Sequence, residues 1–179
     1  MNYPFRRFIL GALFAVISLG SAPAFSQDQA FYAGAAFGQS KFKDGCSGVA
    51  NCDDSDTSLS IFGGYQFNKH FAAEIGYTDL GKATAPGASV EATGFEFTAV
   101  GTLPLNPQFS LYGKLGFFMW DADARGPGGS FSDDGTDLTY AIGVRWNFAK
   151  NLAAQLQWQR YEVDDLDADV IGIGILFRF

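Results

Sequence analysis

The last eleven residues, Asp169–Phe179, place Ile171, Ile173, Ile175, Phe177 and Phe179 on one side of an extended chain and Gly172, Gly174, Leu176 and Arg178 on the other. A period of two marks a strand whose faces meet different surroundings, whereas a helix repeats its apolar residues every three to four positions. The same alternation recurs from residue 31 onward, in segments of about ten residues. The expected strands are Phe31–Phe42, Thr57–Phe67, Phe71–Leu80, Val90–Leu103, Phe109–Asp121, Asp137–Phe148, Leu152–Val163 and Asp169–Phe179. An even number lets both chain ends lie on one side of a closed antiparallel sheet.

The connections alternate in kind. Asn68-Lys69-His70, Asn106-Pro107-Gln108 and Ala149-Lys150-Asn151 are short turns, while Lys43–Asp56, Gly81–Ser89, Ala122–Thr136 and Asp164–Ala168 are longer loops rich in Gly or Asp. Short turns at one end and long loops at the other is the layout of a membrane barrel, with the short turns in the periplasm. A soluble sandwich has no reason for that asymmetry.

Which face meets lipid follows from energy, because Arg or Lys on the lipid face near mid-membrane costs about 2–4 kcal/mol. That turns Ile171, Ile173, Ile175, Phe177 and Phe179 outward and Arg178 inward. In the seventh segment, Leu152, Ala154, Leu156 and Trp158 face lipid and Ala153, Gln155, Gln157, Gln159 and Tyr161 face in, since the reverse strands three glutamines in hydrocarbon. The same test sends out Leu59, Ile61, Tyr65, Phe67, Phe71, Ala73, Ile75, Tyr77, Phe95, Phe97, Ala99 and Leu103. Leu111, Leu115, Phe117, Met119, Leu138, Tyr140, Ile142, Val144, Trp146 and Phe148 complete the outer face. Tyr65, Phe67, Phe71, Trp146, Phe148, Phe177 and Phe179 gather near the short-turn ends, as an interfacial aromatic girdle requires. The opposite face reads as largely Gly, Ala and Thr with a few charges. The expected fold is therefore all-β, a closed antiparallel eight-stranded transmembrane β-barrel whose interior has room for side chains but not for a wide pore.

Ahead of the strands stand Arg6 and Arg7, the apolar run Phe8–Leu19 and the small-residue patch Ser21-Ala-Pro-Ala-Phe-Ser26. This is the layout of a cleavable signal peptide, and the run is shorter than the ~20 residues of a membrane helix. Cleavage is expected after Ser26, with Ala24 the alternative, leaving 27–179 as the barrel domain. The expected address is the cell outer membrane, with both termini periplasmic. Losing the leader removes two arginines and no acid, so ten basic side chains remain against nineteen acidic ones. That balance repels nucleic acid and favours cationic partners. Cys46 and Cys52, separated by five residues in a polar loop, are expected to close a disulfide in this oxidising compartment. A metal pair is the alternative, weakened by the lack of a nearby His or further Cys.

Several motifs resemble the transmembrane domain of the OmpA family of outer-membrane proteins: Phe31-Tyr-Ala-Gly-Ala-Ala-Phe-Gly38, Phe62-Gly-Gly-Tyr-Gln-Phe-Asn68, Glu74-Ile-Gly-Tyr77, Leu80-Gly81, Leu111-Tyr-Gly-Lys-Leu-Gly116, Trp120, Gly143-Val144 and Phe177-Arg-Phe179. The resemblance spans most of residues 27–179. It implies that the ending Ile175, Phe177, Phe179 serves as the assembly signal read by the outer-membrane insertion machinery. It also implies a plug of inward charges, of which Glu74 is kept while the aligned positions hold Ala36, Val100, Arg145 and Gln155. Many members continue into a peptidoglycan-gripping domain, but this chain stops at its last strand, so wall anchoring is not expected.

By parity Glu74, Glu96, Lys114 and Arg145 point into the barrel beside Gln155, and buried charges must pair. The expected polar network has Glu74 bonded to Arg145 or Lys114, blocking a continuous water path. The one histidine, His70, falls at a short turn without a neighbouring nucleophilic serine, so no catalytic site is expected. No cofactor or metal motif is present. Asp44, Asp53, Asp54, Asp56, Asp133, Asp134, Asp164, Asp165 and Asp167 make the loops acidic without calcium-loop spacing; solvated loop acids are the expected reading, and a divalent ion bridging them to lipopolysaccharide phosphates is the alternative. The leading expectation is a monomeric structural and surface-interaction protein in contact with lipid and lipopolysaccharide, with possible loop ligands. A narrow low-conductance channel is the alternative, and a lipid-modifying enzyme a distant third.

Overall fold

A computed structural model describes residues 30–42, 55–85, 88–126, 129–162 and 167–179. The expected leader, Cys46 and Cys52 lie outside the described residues. The strands are β1 (Ala30–Phe42), β2 (Ser55–Gln66), β3 (Phe71–Ala85), β4 (Ala88–Pro104), β5 (Phe109–Gly126), β6 (Gly129–Asn147), β7 (Leu152–Tyr161) and β8 (Ala168–Arg178). Each pairs antiparallel with the next, and β8 returns to β1 through a ladder from Tyr32 opposite Arg178 to Phe42 opposite Ala168, closing the barrel. Closure pairs every edge, so no strand presents bare backbone donors to hydrocarbon.

The alternation expected from the sequence holds around the whole wall. Ile61, Phe71, Leu115, Phe117, Ile142, Ile171, Ile175 and Phe179 stand exposed on the outside, and the strand residues next to them face in. At the short-turn end the girdle is built from touching rings: Phe31, Tyr65 and Phe67 form one run, and Phe109, Trp146 and Phe148 another. Two of the three short turns use one device. The Asn68 carboxamide oxygen accepts from the backbone of His70 (2.8 Å) and Phe71 (3.0 Å). Asn106 does the same for Gln108 (2.9 Å) and Phe109 (2.8 Å). An asparagine that replaces a backbone turn in this way fixes the register of the strands that follow.

Two expected loops are largely strand. β5 and β6 continue as a paired hairpin up to Gly126 opposite Gly129, through residues 122–136 that read as loop, and β3 and β4 continue to Ala85 opposite Ala88. Outside the membrane both faces of a hairpin meet water, so the apolar alternation that marks a strand vanishes while the hydrogen-bond ladder persists. Elsewhere the expected ends agree within two residues. The β3–β4 ladder shifts between Asp79 and Lys82, where Gly81 adopts a φ of 78°. There Asp79 accepts from the Gly81 amide at 2.8 Å, and Asp56 accepts from the Lys82 and Thr57 amides, each at 2.7 Å, so carboxylates replace the missing ladder partners.

Candidate functional site in the barrel interior

The inward face is far more aromatic than a Gly, Ala and Thr reading suggests, which corrects that expectation. Tyr32, Phe62, Tyr112, Phe118, Trp120 and Tyr161 are all buried inside the barrel. Glycines make the room: a Cβ would fall 2.4 Å from the Tyr32 ring at Gly64, 2.6 Å from Tyr112 at Gly143, 2.8 Å from Phe118 at Gly94 and 2.6 Å from Trp120 at Gly135. Tyr32, Tyr112 and Trp120 each sit directly across the ladder from their glycine, so a ring lies flat over the neighbouring strand. The rings fall into two apolar clusters. Leu80, Ala92, Phe118, Trp120, Tyr161, Ala168 and Val170 cap the interior toward the long loops. Tyr32, Ala36, Phe62, Ala72, Val100, Tyr112, Ala153 and Leu176 form the second.

The inward side chains of β7 measure depth, since alternate residues advance about 6.8 Å. Nearest the short turns, Gln155 accepts from Arg145 Nη2 at 3.4 Å. One step up, the Tyr112 hydroxyl donates to Gln157 Oε1 at 2.9 Å. Gln157 Nε2 in turn donates to Gln159 Oε1 at 2.9 Å. Gln159 Nε2 donates to Glu96 Oε2 at 2.6 Å and to Thr139 Oγ1 at 3.0 Å, and Tyr161 donates to the same Glu96 oxygen at 3.3 Å. A continuous polar run thus climbs from Tyr112 to Glu96. The Trp120 indole N–H, set in the apolar cap, is satisfied by Asp137 Oδ2 at 2.7 Å.

Across the barrel, Lys114 Nζ pairs with Glu74 Oε1, both side chains being buried. The Tyr32 hydroxyl donates to the other Glu74 oxygen at 2.9 Å, and the Lys114 ammonium lies 4.9 Å from the centre of the Phe62 ring. Of the two partners expected for Glu74, Lys114 is therefore the one in contact. Arg145 instead lies over Tyr112 at 4.8 Å and Tyr32 at 5.9 Å. Removing either partner of such a buried pair strands the other charge, typically at a cost of about 3–5 kcal/mol. The sequence reading turned Glu96, Gln157, Gln159 and Tyr161 inward but did not place Phe118 or Trp120 in the interior or link Tyr112 through the glutamines to Glu96, although each shares the inward parity of Lys114 or Gln155.

The remaining residues of interest lie at the short-turn end. His70 is exposed, with Nδ1 3.1 Å from the Thr102 carbonyl oxygen. Ile175, Phe177 and Phe179 face outward; the Phe179 amide donates to the Phe31 carbonyl at 3.0 Å, and its ring meets Phe177 at 5.1 Å. Among the described residues, no group of three His, Cys, Asp or Glu side chains is placed to hold a metal ion.

An eight-stranded closed barrel with an apolar outer face and an interior filled by side chains is an integral outer-membrane barrel. A family model described as the OmpA-like transmembrane domain matches residues 26–178, and the chain belongs to that family. Outer membrane protein A of Klebsiella pneumoniae is 27% identical over 190 residues, covering 92% of this chain and 54% of the relative. The Shigella flexneri protein of the same name is 30% identical over 178 residues, covering 88% and 51%. The chain thus spans about half the length of the curated relatives it matches. Among solved structures, Neisserial surface protein A aligns with a TM-score of 0.67 at 16% identity, over 83% of this chain and 97% of that one. Ail, the attachment invasion locus protein of Yersinia pestis, solved in complex with the heparin analogue sucrose octasulfate, aligns with a TM-score of 0.62 at 21% identity, over 85% and 99%. At these identities the two structures speak to the fold alone.

Proposed function

We propose that the protein is a filled, non-conducting barrel that anchors a set of surface loops in the envelope and performs no catalysis. The buried Glu74–Lys114 pair, together with the apolar cap around Phe118, carries this reading. A water path would have to break a desolvated ion pair and open an aromatic layer.

In this reading the leader is cut after Ser26, the short turns and both termini face the periplasm, and the insertion machinery reads Ile175, Phe177 and Phe179. The wall contacts lipid and lipopolysaccharide as a monomer. Cys46 and Cys52 close a loop disulfide. The acidic loops favour cationic partners or divalent ions, so a polysulfated sugar of the kind held by Ail is a poor ligand for them. Planar-bilayer recording tests the plug: wild type should pass no steady current, and Glu74→Ala combined with Phe118→Ala should open small ion steps. A steady wild-type current, or no difference between the two proteins, defeats the reading in favour of a constitutive narrow channel or of a plug built elsewhere.

A further inference from the structure

At the short-turn end of the interior, three buried side-chain nitrogens have no hydrogen-bond partner: Arg145 Nε, Gln155 Nε2 and Arg178 Nε. Arg145 and Gln155, each 3% exposed, are direct partners across the β6–β7 ladder. Arg178 stands opposite Tyr32 across the β8–β1 ladder, and the Arg145 guanidinium lies 5.9 Å from that same Tyr32 ring. None of the ion pairs formed among the described residues includes either arginine, and the nearby Glu74 carboxylate is already engaged by Lys114 and the Tyr32 hydroxyl.

We infer that Arg145, Gln155 and Arg178 form a binding site for a small monovalent anion. The unpartnered atoms of these three side chains are all N–H donors, so an electron-rich acceptor fits between them and a metal cation does not, while the unpartnered acceptor Asn147 Oδ1 lies two residues further along β6. A trapped water would satisfy the hydrogen bonds yet leave two like charges uncancelled in a region of low dielectric, whereas an anion answers both needs. The neighbouring tyrosine hydroxyls are already committed elsewhere. The Tyr32 and Tyr112 hydroxyls donate to Glu74 and Gln157, so both rings turn faces and edges, not acceptors, toward the guanidinium. Arg178 is only partly buried and marks the route in from the short-turn end. The site does not depend on whether the barrel conducts.

Bromide is the probe. With the refolded protein in detergent micelles, replacing sodium gluconate by sodium bromide at equal ionic strength should raise the thermal midpoint saturably, by about 3 °C at tenfold excess over Kd. The exposed-site control Lys82→Gln should keep that response, and Arg145→Gln should lose it. Should Arg145→Gln fail to fold, wild-type crystals soaked in bromide decide the matter. An anomalous peak within hydrogen-bonding range of Arg145 Nε and Gln155 Nε2 supports the site. Density there without bromide signal overturns it, as does an equal bromide response in wild type and Arg145→Gln.

Discussion

Gln155 and Gln159 are the same side chain on the same face of the same strand, yet they live in different interiors. Gln159 is surrounded: its amide nitrogen serves Glu96 and Thr139, its oxygen takes Gln157, and the tilted rings of Phe118 and Tyr161 meet at 4.6 Å within the adjoining cap. Gln155 has one long bond to Arg145 and an amide nitrogen with no partner. The half toward the loops is a hydrogen-bonded core under an apolar cap that pins the strands together. The half toward the short turns is positively charged and holds spare donors. A barrel that must stay shut needs one such seal and not two, which leaves the other end free to take a ligand.

That contrast can be broken most directly through the buried charges. Glu74→Ala leaves Lys114 charged and unpaired in the interior and should lower unfolding free energy in urea by about 3–5 kcal/mol, whereas the paired change Glu74→Leu with Lys114→Met should recover most of it. A double variant as unstable as the single one would show that packing, not charge, holds this layer. Phe118→Ala empties the cap and should cost about 3–4 kcal/mol, read from the same titrations. The sharpest comparison is the matched pair in halide-free buffer. Gln159→Leu should cost about 1–3 kcal/mol because Glu96 loses its shortest hydrogen bond, and Gln155→Leu less, because it removes one long bond to Arg145. Equal costs would erase the distinction between the halves.

Much of this fold was legible beforehand, and the reason is the solvent. Arg178, Lys114 and the glutamines of β7 could not face hydrocarbon, so each strand had a single tolerable register, and Ile171 through Phe179 declared theirs openly. The hairpins reaching Gly126 and Ala85 were hidden because Asp121, Asp123, Asp133 and Asp134 follow no apolar rhythm where both faces meet water. The interior aromatics were hidden for another reason. Phe118 and Trp120 shared the inward parity, but nothing local distinguishes a ring that lies over a glycine on the next strand from one that points into empty space.

The chain by itself determined the number of strands, their inward and outward faces and the charged residues committed to the interior, because period-two alternation against lipid is a local property with a penalty of kilocalories for each error. The tertiary structure alone decided who meets whom across the interior. Glu74 and Lys114 are forty residues apart and Glu96 and Gln159 sixty-three. Their meeting depends on the register accumulated around all eight strands and on the closure of β8 against β1, a geometric sum that no single segment carries.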